Sequence, residues 1–288
     1  MIIIGCSNSK NLARKIAKEL KAEYSELITK HFPDGELYIK FETDLKNKEI
    51  VLIQTLHPAN EQLLEVLLAG YTAKDLGAKK VTLVAPYMAY IRQDKRFNPG
   101  EAVSSKIIGN LLSSFDKIIT IDPHLHRIKS LNEVFHTKAQ KLTSNDVIES
   151  YIAKNYKSPV IIGPDEESYQ WAKEIALSIK AHAAILKKTR FSPNNVKIII
   201  KSPIEIKGKD IIIIDDIIST GKTVLETIQH IKNKKPKSIN VICIHGIFAD
   251  KLVYKKIKAN TKSIITTNTI ENIHSKIDIS DLIAKALK

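Results

Sequence analysis

Asp215 and Asp216 stand side by side directly after four consecutive isoleucines, shortly ahead of Ser219-Thr220-Gly221-Lys222-Thr223. Such an apolar run suits a buried parallel strand, here Ile211–Asp215. The pattern from Val224 to Ile231 is helical, so the polar segment joins a strand end to a helix start. Free N–H groups at a helix start, flanking hydroxyls and one glycine make a cradle for phosphate. Two carboxylates just before it suit a pair of sugar hydroxyls, which need acceptors. The element reads as a binder of a phosphorylated sugar. A nucleotide P-loop is the rival, because Gly221-Lys222-Thr223 resembles its end. That pattern needs a glycine five residues before Gly221, and the chain has Asp216 there, whose charge would repel phosphates. An ordinary capped strand-turn-helix accounts for the hydroxyls but not for the acidic pair.

Other segments carry weaker signals. His31-Phe32-Pro33-Asp34-Gly35-Glu36 lies between two strand-like segments and on its own reads as a turn. Phe32 could also stack on a base, with Asp34 and Glu36 accepting from an exocyclic amine. Tyr90-Ile91-Arg92-Gln93-Asp94-Lys95-Arg96 places three cations beyond a strand, where α/β folds bind ligands such as polyphosphates. Phe97–Gly100 then reads as a loop, with a helix starting at Glu101. Asp122 and His124 follow another strand. They either converge on a cation, magnesium rather than zinc because no cysteine is near, or belong to a solvated loop. Solvation is the reading for His126. Asp165 ends a further strand as a possible second ligand. Lys188 and Arg190 could clamp a transferring phosphate, although spacing alone reads as a solvated basic loop, followed by Phe191–Asn195.

The elements that must hold these residues alternate between strand and helix, which argues for α/β architecture with mainly parallel sheets. Strands are expected at Ile2–Gly5, Glu36–Glu42, Ile50–Thr55, Val81–Ala85 and Ile118–Asp122. Helices are expected at Lys10–Leu20, Asn60–Leu76 and near Ala102–Leu112. A second series begins after Leu142, with strands Pro159–Gly163, Ala183–Leu186, Val196–Lys201, Ile211–Asp215, Ile239–His245 and Ser263–Thr267. Its helices are one capped by Thr143 or Ser144 and running to Lys154, one over Glu166–Ile179, and one over Ile279–Leu287. Domains of 1–142 and 143–288 follow. Their common rhythm points to an internal duplication that the residues themselves do not repeat.

A chain of 288 residues with 43% apolar content is globular and long enough for about two domains. The formal charge of +14 admits nucleic acid, an anionic membrane or polyanionic small substrates. Much of it sits on scattered lysines such as Lys10, Lys15, Lys18 and Lys21. No compact basic block with interleaved aromatics occurs, so nucleic-acid binding is not expected. Cys6 and Cys243 lie in apolar strands and are expected as buried, reduced thiols of a cytoplasmic protein. No signal peptide and no apolar run near ~20 residues is present, so no membrane association is expected.

Taken in order, these segments resemble the ribose-phosphate diphosphokinase (PRPP synthetase) family over nearly the whole chain. Phe32-Pro33-Asp34-Gly35-Glu36 is similar to its adenine loop, Tyr90–Lys95 to its nucleotide segment, and Asp122-Pro123-His124 to its metal motif, with proline in place of leucine. Lys188-Thr189-Arg190 is similar to the K-x-R of its catalytic flexible loop, and Asp215–Thr223 to its ribose 5-phosphate loop. The resemblance implies two phosphoribosyltransferase-like α/β domains, each a mainly parallel sheet flanked by helices. It implies transfer of the diphosphoryl group of Mg-ATP to the 1-hydroxyl of ribose 5-phosphate, giving 5-phosphoribosyl 1-diphosphate (PRPP) and AMP. Lys188 and Arg190 would be catalytic. Phe32, Asp34, Gly35, Glu36, Arg92 and Gln93 would bind ATP, the adenine loop typically coming from a neighbouring subunit of at least a homodimer. Arg190, Asp215, Asp216, Ser219, Thr220, Gly221, Lys222 and Thr223 would bind ribose 5-phosphate, and His124, Asp165 and Asp122 would hold Mg²⁺. Ser219 stands where the family often has Asp, and Phe97 where many relatives have an acid near the ATP ribose. A phosphoribosyltransferase, or a non-catalytic regulatory or RNA-binding member of the fold, are the alternatives. The first has no use for an ATP site, and the second would be expected to lose Lys188, Arg190, Asp215 and Asp216.

Overall fold

The computed structural model describes residues 1–125, 128, 130–192, 195–200 and 205–288. His126, Pro193, Asn194 and Lys201 therefore lie outside the described residues. The chain forms two compact units, 1–143 with 269–271 and 279–288, and 144–268 with 272–278.

The first unit is built on strands β1 (Ile2–Gly5), β2 (Glu23–His31), β3 (Leu37–Phe41), β4 (Glu49–Ile53), β5 (Lys80–Ala85), β6 (Lys117–Ile121) and β7 (Lys138–Leu142). Among the described residues they form one seven-stranded sheet in the order β3-β2-β1-β4-β5-β6-β7. The β2–β3 pair is antiparallel, and the other neighbours are parallel. Ile2, Ile3 and Ile4 are all buried, as a strand covered on both faces requires. Helices α1 (Lys10–Leu20), α2 (Ala59–Asp75) and α3 (Ser104–Leu111) cross between strands. The helix expected near Ala102–Leu112 thus begins at Ser104, and Glu101 stays in the loop.

In the second unit α4 (Asn145–Asn155) precedes β8 (Val160–Gly163), α5 (Glu166–Ser178), β9 (His182–Ser192), β10 (Asn195–Ile200) and β11 (Asp210–Ile218). Then come α6 (Lys222–Lys232), β12 (Ser238–Gly246), α7 (Lys251–Asn260), β13 (Ser263–Thr267) and β14 (Ser275–Ile277). The described strands again form a seven-stranded sheet, in the order β10-β9-β8-β11-β12-β13-β14. Only its β9–β10 pair is antiparallel. The four isoleucines Ile211–Ile214 are fully buried at its centre.

Two expectations change. The last helix, α8 (Ser280–Leu287), packs on α1 and belongs to the first unit rather than to a domain of 143–288. Both helices bury apolar faces, Ile283 and Ala284 on α8 and Leu12, Ala13, Ile16 and Ala17 on α1. The strand expected at Ala183–Leu186 runs on to Ser192, because its extension pairs with β10 as a hairpin.

One contact fixes the entry into the second unit's sheet end. A Cβ placed on Gly163 would lie 2.5 Å from the amide nitrogen of Tyr169, so only glycine lets the first turn of α5 sit this close to β8. Gly163→Ala should cost about 1–3 kcal/mol through overpacking. Trp171, the only tryptophan, lies on α5 and reports the transition by fluorescence. A lower denaturant midpoint is the expected result, and an unchanged one would show that the close approach is not required.

Candidate active site

Just beyond β8 and in the C-terminal half of β11 three carboxylates gather. Asp165 caps α5, its Oδ1 accepting the Ser168 N–H at 2.8 Å. The Ser168 hydroxyl lies 2.8 Å from the same oxygen and 2.9 Å from Asp215 Oδ1. It carries one proton and can donate to only one of them at a time. Ser168 was not anticipated from sequence, where a lone serine inside a helix start gives no sign of its two partners.

The acidic pair is not symmetric. β11 continues through both aspartates to Ile218, with Asp215 opposite Cys243 and Ile217 opposite His245 on β12. The strand expected to stop at Asp215 runs on because Ile217 and Ile218 extend its apolar pattern. Successive residues of a strand face opposite sides. Asp215 is 7% exposed, whereas Asp216 is half-buried, its Oδ1 accepting the Ile217 N–H at 2.7 Å. Burial pushes the Asp215 carboxyl well above the ordinary carboxylate range. The charges of Asp216 and Asp165 push it further, against the hydrogen bond from Ser168.

The segment after β11 turns at Gly221, whose φ of +80° is the left-handed conformation that glycine adopts without strain. Gly221 is the N-cap of α6, which makes no side-chain cap hydrogen bond. The Ser219 carbonyl is tied to the Ala249 N–H at 2.9 Å, fixing the turn against the loop after β12. Thr220, Lys222 and Thr223 are exposed around it. The Lys222 N–H reaches the Thr220 hydroxyl oxygen only at 3.5 Å, so this is a loosely capped helix start with flanking hydroxyls, the geometry that receives phosphate. Lys188 and Arg190 lie within β9, opposite Ile198 and Val196 of β10, rather than beyond a strand end. The structure describes their backbone only.

The first unit carries the remaining candidates. Phe32–Glu36 is the turn of the β2–β3 hairpin, closed by Phe32 N–H to the Glu36 carbonyl at 2.8 Å. Gly35 has φ +94°, and Asp34 Oδ1 accepts the Glu36 N–H at 3.2 Å. Phe32 is half exposed, its ring edge-on to Tyr38 with centroids 5.8 Å apart. Arg92 and Gln93 lie in the loop after β5, with Arg92 exposed. Glu101 organises that loop: its carboxylate accepts from Asn98 Nδ2 at 2.6 Å, from the Phe97 N–H at 2.9 Å and from Gln93 Nε2 at 3.3 Å. These bonds, those from Asn98 foremost, hold the Glu101 carboxyl below its usual range. Asp122, just beyond β6, adopts φ +36°, a strained conformation for a residue with a side chain. Asp122 and His124 are both half-buried at that strand end.

Residues 1–115 match the model of the N-terminal domain of ribose phosphate pyrophosphokinase, and residues 130–282 match that of the phosphoribosyl transferase domain. The ribose-phosphate pyrophosphokinase of Methanobrevibacter smithii is 35% identical, with all of both chains covered. That of Methanothermobacter thermautotrophicus is 34% identical over the same full extent. The chain belongs to the ribose-phosphate pyrophosphokinase family. The crystal structure of phosphoribosylpyrophosphate synthetase from Mycobacterium smegmatis shares the fold, with a TM-score of 0.86, 23% identity and coverage of 99% of this chain and 97% of that one. The two phosphoribosyltransferase-like units and the enzyme class follow from these matches.

Among the described residues no three His, Cys, Asp or Glu side chains group to hold a metal by themselves. Cys6 and Cys243 are free and buried, with thiols pushed up by burial, so neither is poised as a nucleophile. No helix of the described residues is long and apolar enough to cross a membrane.

The raised Asp215 carboxyl has a stability consequence with a definite sign. Below the unfolded value of about 4 both states hold the proton. As pH rises from there toward the folded value, the unfolded chain releases its proton first and stability falls. Asp215→Asn removes that loss. In chelator-containing buffer the variant should be more stable than wild type at pH 8, with the difference shrinking toward pH 4. A variant less stable at pH 8 would contradict the unfavourable burial assigned to the charged carboxyl.

Proposed function

We propose that the chain transfers the β,γ-diphosphoryl group of Mg-ATP to the 1-hydroxyl of ribose 5-phosphate, giving PRPP and AMP. The observation that carries this reading is the turn at Ser219–Thr223, a loosely capped helix start three residues after the aspartate pair of β11. The name shared by relatives over their full length supports it.

In this reading Ser219, Thr220, Gly221, Lys222 and Thr223 hold the 5-phosphate. Asp216, the more accessible acid, accepts from the ribose hydroxyls, and buried Asp215 backs it. Lys188 and Arg190 are assigned to stabilise charge developing on the transferring group, with Arg190 also assigned to binding the sugar phosphate. Phe32 stacks on adenine, Asp34, Gly35 and Glu36 frame it, and Arg92 and Gln93 orient the phosphates. Transfer of this type rests on alignment and charge neutralisation. The sugar hydroxyl loses its proton, forms a bond to the β-phosphorus and displaces AMP. Mg²⁺ would be held by one or two carboxylates together with substrate phosphates, so Asp122 with His124, and Asp165 separately, would serve it without a closed cage. When bound it supplies charge neutralisation on the polyphosphate. The large positive charge suits two anionic substrates. The exposed ring of Phe32 at a hairpin tip suits donation to a neighbouring copy, so a homodimer is the minimum assembly. The free buried thiols agree with a cytoplasmic enzyme.

Protein mixed with Mg-ATP and ribose 5-phosphate should yield AMP and PRPP in equal amounts, and formation of ADP would reject the reaction. Asp216→Asn should raise KM for ribose 5-phosphate by roughly 5- to 150-fold, the equivalent of about 1–3 kcal/mol for an unpaired buried hydroxyl. KM for ATP should change far less. The reverse split would assign the turn to nucleotide phosphate.

A further inference from the structure

The two sheets share one plan. Their strand orders match position by position, and each has a single antiparallel pair at the same edge, β2–β3 and β9–β10. β1 therefore corresponds to β8, and β4 to β11. In each sheet the chain leaves these two strands toward opposite edges. The crevice beyond their C-terminal ends is the switch point, where open α/β sheets take ligands. In the second unit that position carries Asp165, Asp216 and the Ser219–Thr223 turn.

The first unit has a crevice of about 560 Å³ at the corresponding position, between the segment after β1 and the segment after β4. Its lining includes Asn8, Lys10, Asn11, Arg14, His57 and Glu271. We propose that this crevice binds a sugar phosphate, at a site separate from the Ser219–Thr223 turn.

Charge and rigidity both favour such a ligand. Lys10 and Arg14 share one carboxylate, Glu26, with Lys10 Nζ 2.7 Å from it. Two cations against one acid leave a net positive charge on this wall. Their side chains are 39% and 53% exposed, so they can turn toward a phosphate. Glu26 keeps its own charge, its carboxyl pulled down to about 2 by Lys10 first, then Tyr24 and Arg14. On the other side Glu271 accepts from Asn11 Nδ2 at 3.2 and 3.3 Å. A carboxylate there suits sugar hydroxyls and repels a bare phosphate. An acid for the hydroxyls, apart from the groups that take the phosphate, is also the division in the function proposed above, on which this comparison rests.

The walls are held from behind by buried polar groups. Asn8 N–H donates to Gln54 Oε1 at 3.1 Å, and Asn8 Nδ2 to the His57 carbonyl at 2.8 Å. Ser9 Oγ accepts the Thr55 N–H at 2.8 Å, tying the two segments together. Gln54, Gln62 and Glu65, all buried, converge on Ser7. A crevice built this way is preorganised and loses little ordering entropy on binding.

Equilibrium dialysis of the full chain against labelled ribose 5-phosphate, without ATP, tests the assignment. Two molecules per chain are expected for wild type. Lys10→Ala and Glu271→Gln, each checked for folding by circular dichroism, should each weaken one class at least tenfold. Asp216→Asn should weaken the other. A single bound molecule that Asp216→Asn removes would overturn the crevice and leave the turn's role intact. A single molecule lost in Lys10→Ala would support the crevice and reject the turn. Two classes indifferent to Lys10→Ala and Glu271→Gln, or no binding at all, would overturn the inference.

Discussion

Burial of the Asp215 carboxyl, with the charges of Asp216 and Asp165 beside it, is the constraint that the site end of the second unit's sheet has to meet. Burying Asp215 among its neighbours is unfavourable for its charged form, and the fold has only a few means of offsetting that. One is the Ser168 hydroxyl, placed within hydrogen-bond distance of both Asp165 and Asp215. Another is the cap that Asp165 makes on α5, where the helix start favours negative charge. Both depend on Gly163, without which α5 could not approach β8 closely enough. Local arrangements that cost stability and are held by their surroundings gather at functional sites.

The same economy of parts appears at the Ser219–Thr223 turn. Gly221 supplies a left-handed residue that starts α6, and a Cβ there would lie 2.8 Å from Ile257 on α7. The turn is thus locked between two packed helices while its hydroxyls stay exposed. In the first unit Glu101 plays a comparable part, gathering the loop that carries Arg92 and Gln93 through local hydrogen bonds.

Much of the α/β plan is legible in the residues, because isoleucine runs such as Ile2–Ile4 and Ile211–Ile214 leave little choice but a buried strand. The turn at Phe32–Glu36 is legible from Pro33 and Gly35. Other parts depend on partners that no local pattern names. β2 and α7 are rich in polar residues, so their periodicity is weak. α8 follows β14 in sequence but packs on α1, a choice made by complementary apolar faces. Ser168 and Glu101 matter through contacts made only after folding. The acidic pair looked symmetric in sequence, and only the continuation of β11 separates a buried from an accessible carboxylate. The common plan of the two sheets, invisible in residue identity, is plain in strand order.

Amide hydrogen exchange across residues 219–223 tests the central assignment most directly, because it reads the turn itself rather than turnover. Ribose 5-phosphate alone should protect these amides, and ATP alone should leave them nearly unchanged. Protection by ATP with none from ribose 5-phosphate would contradict the account and make the turn a nucleotide-phosphate loop.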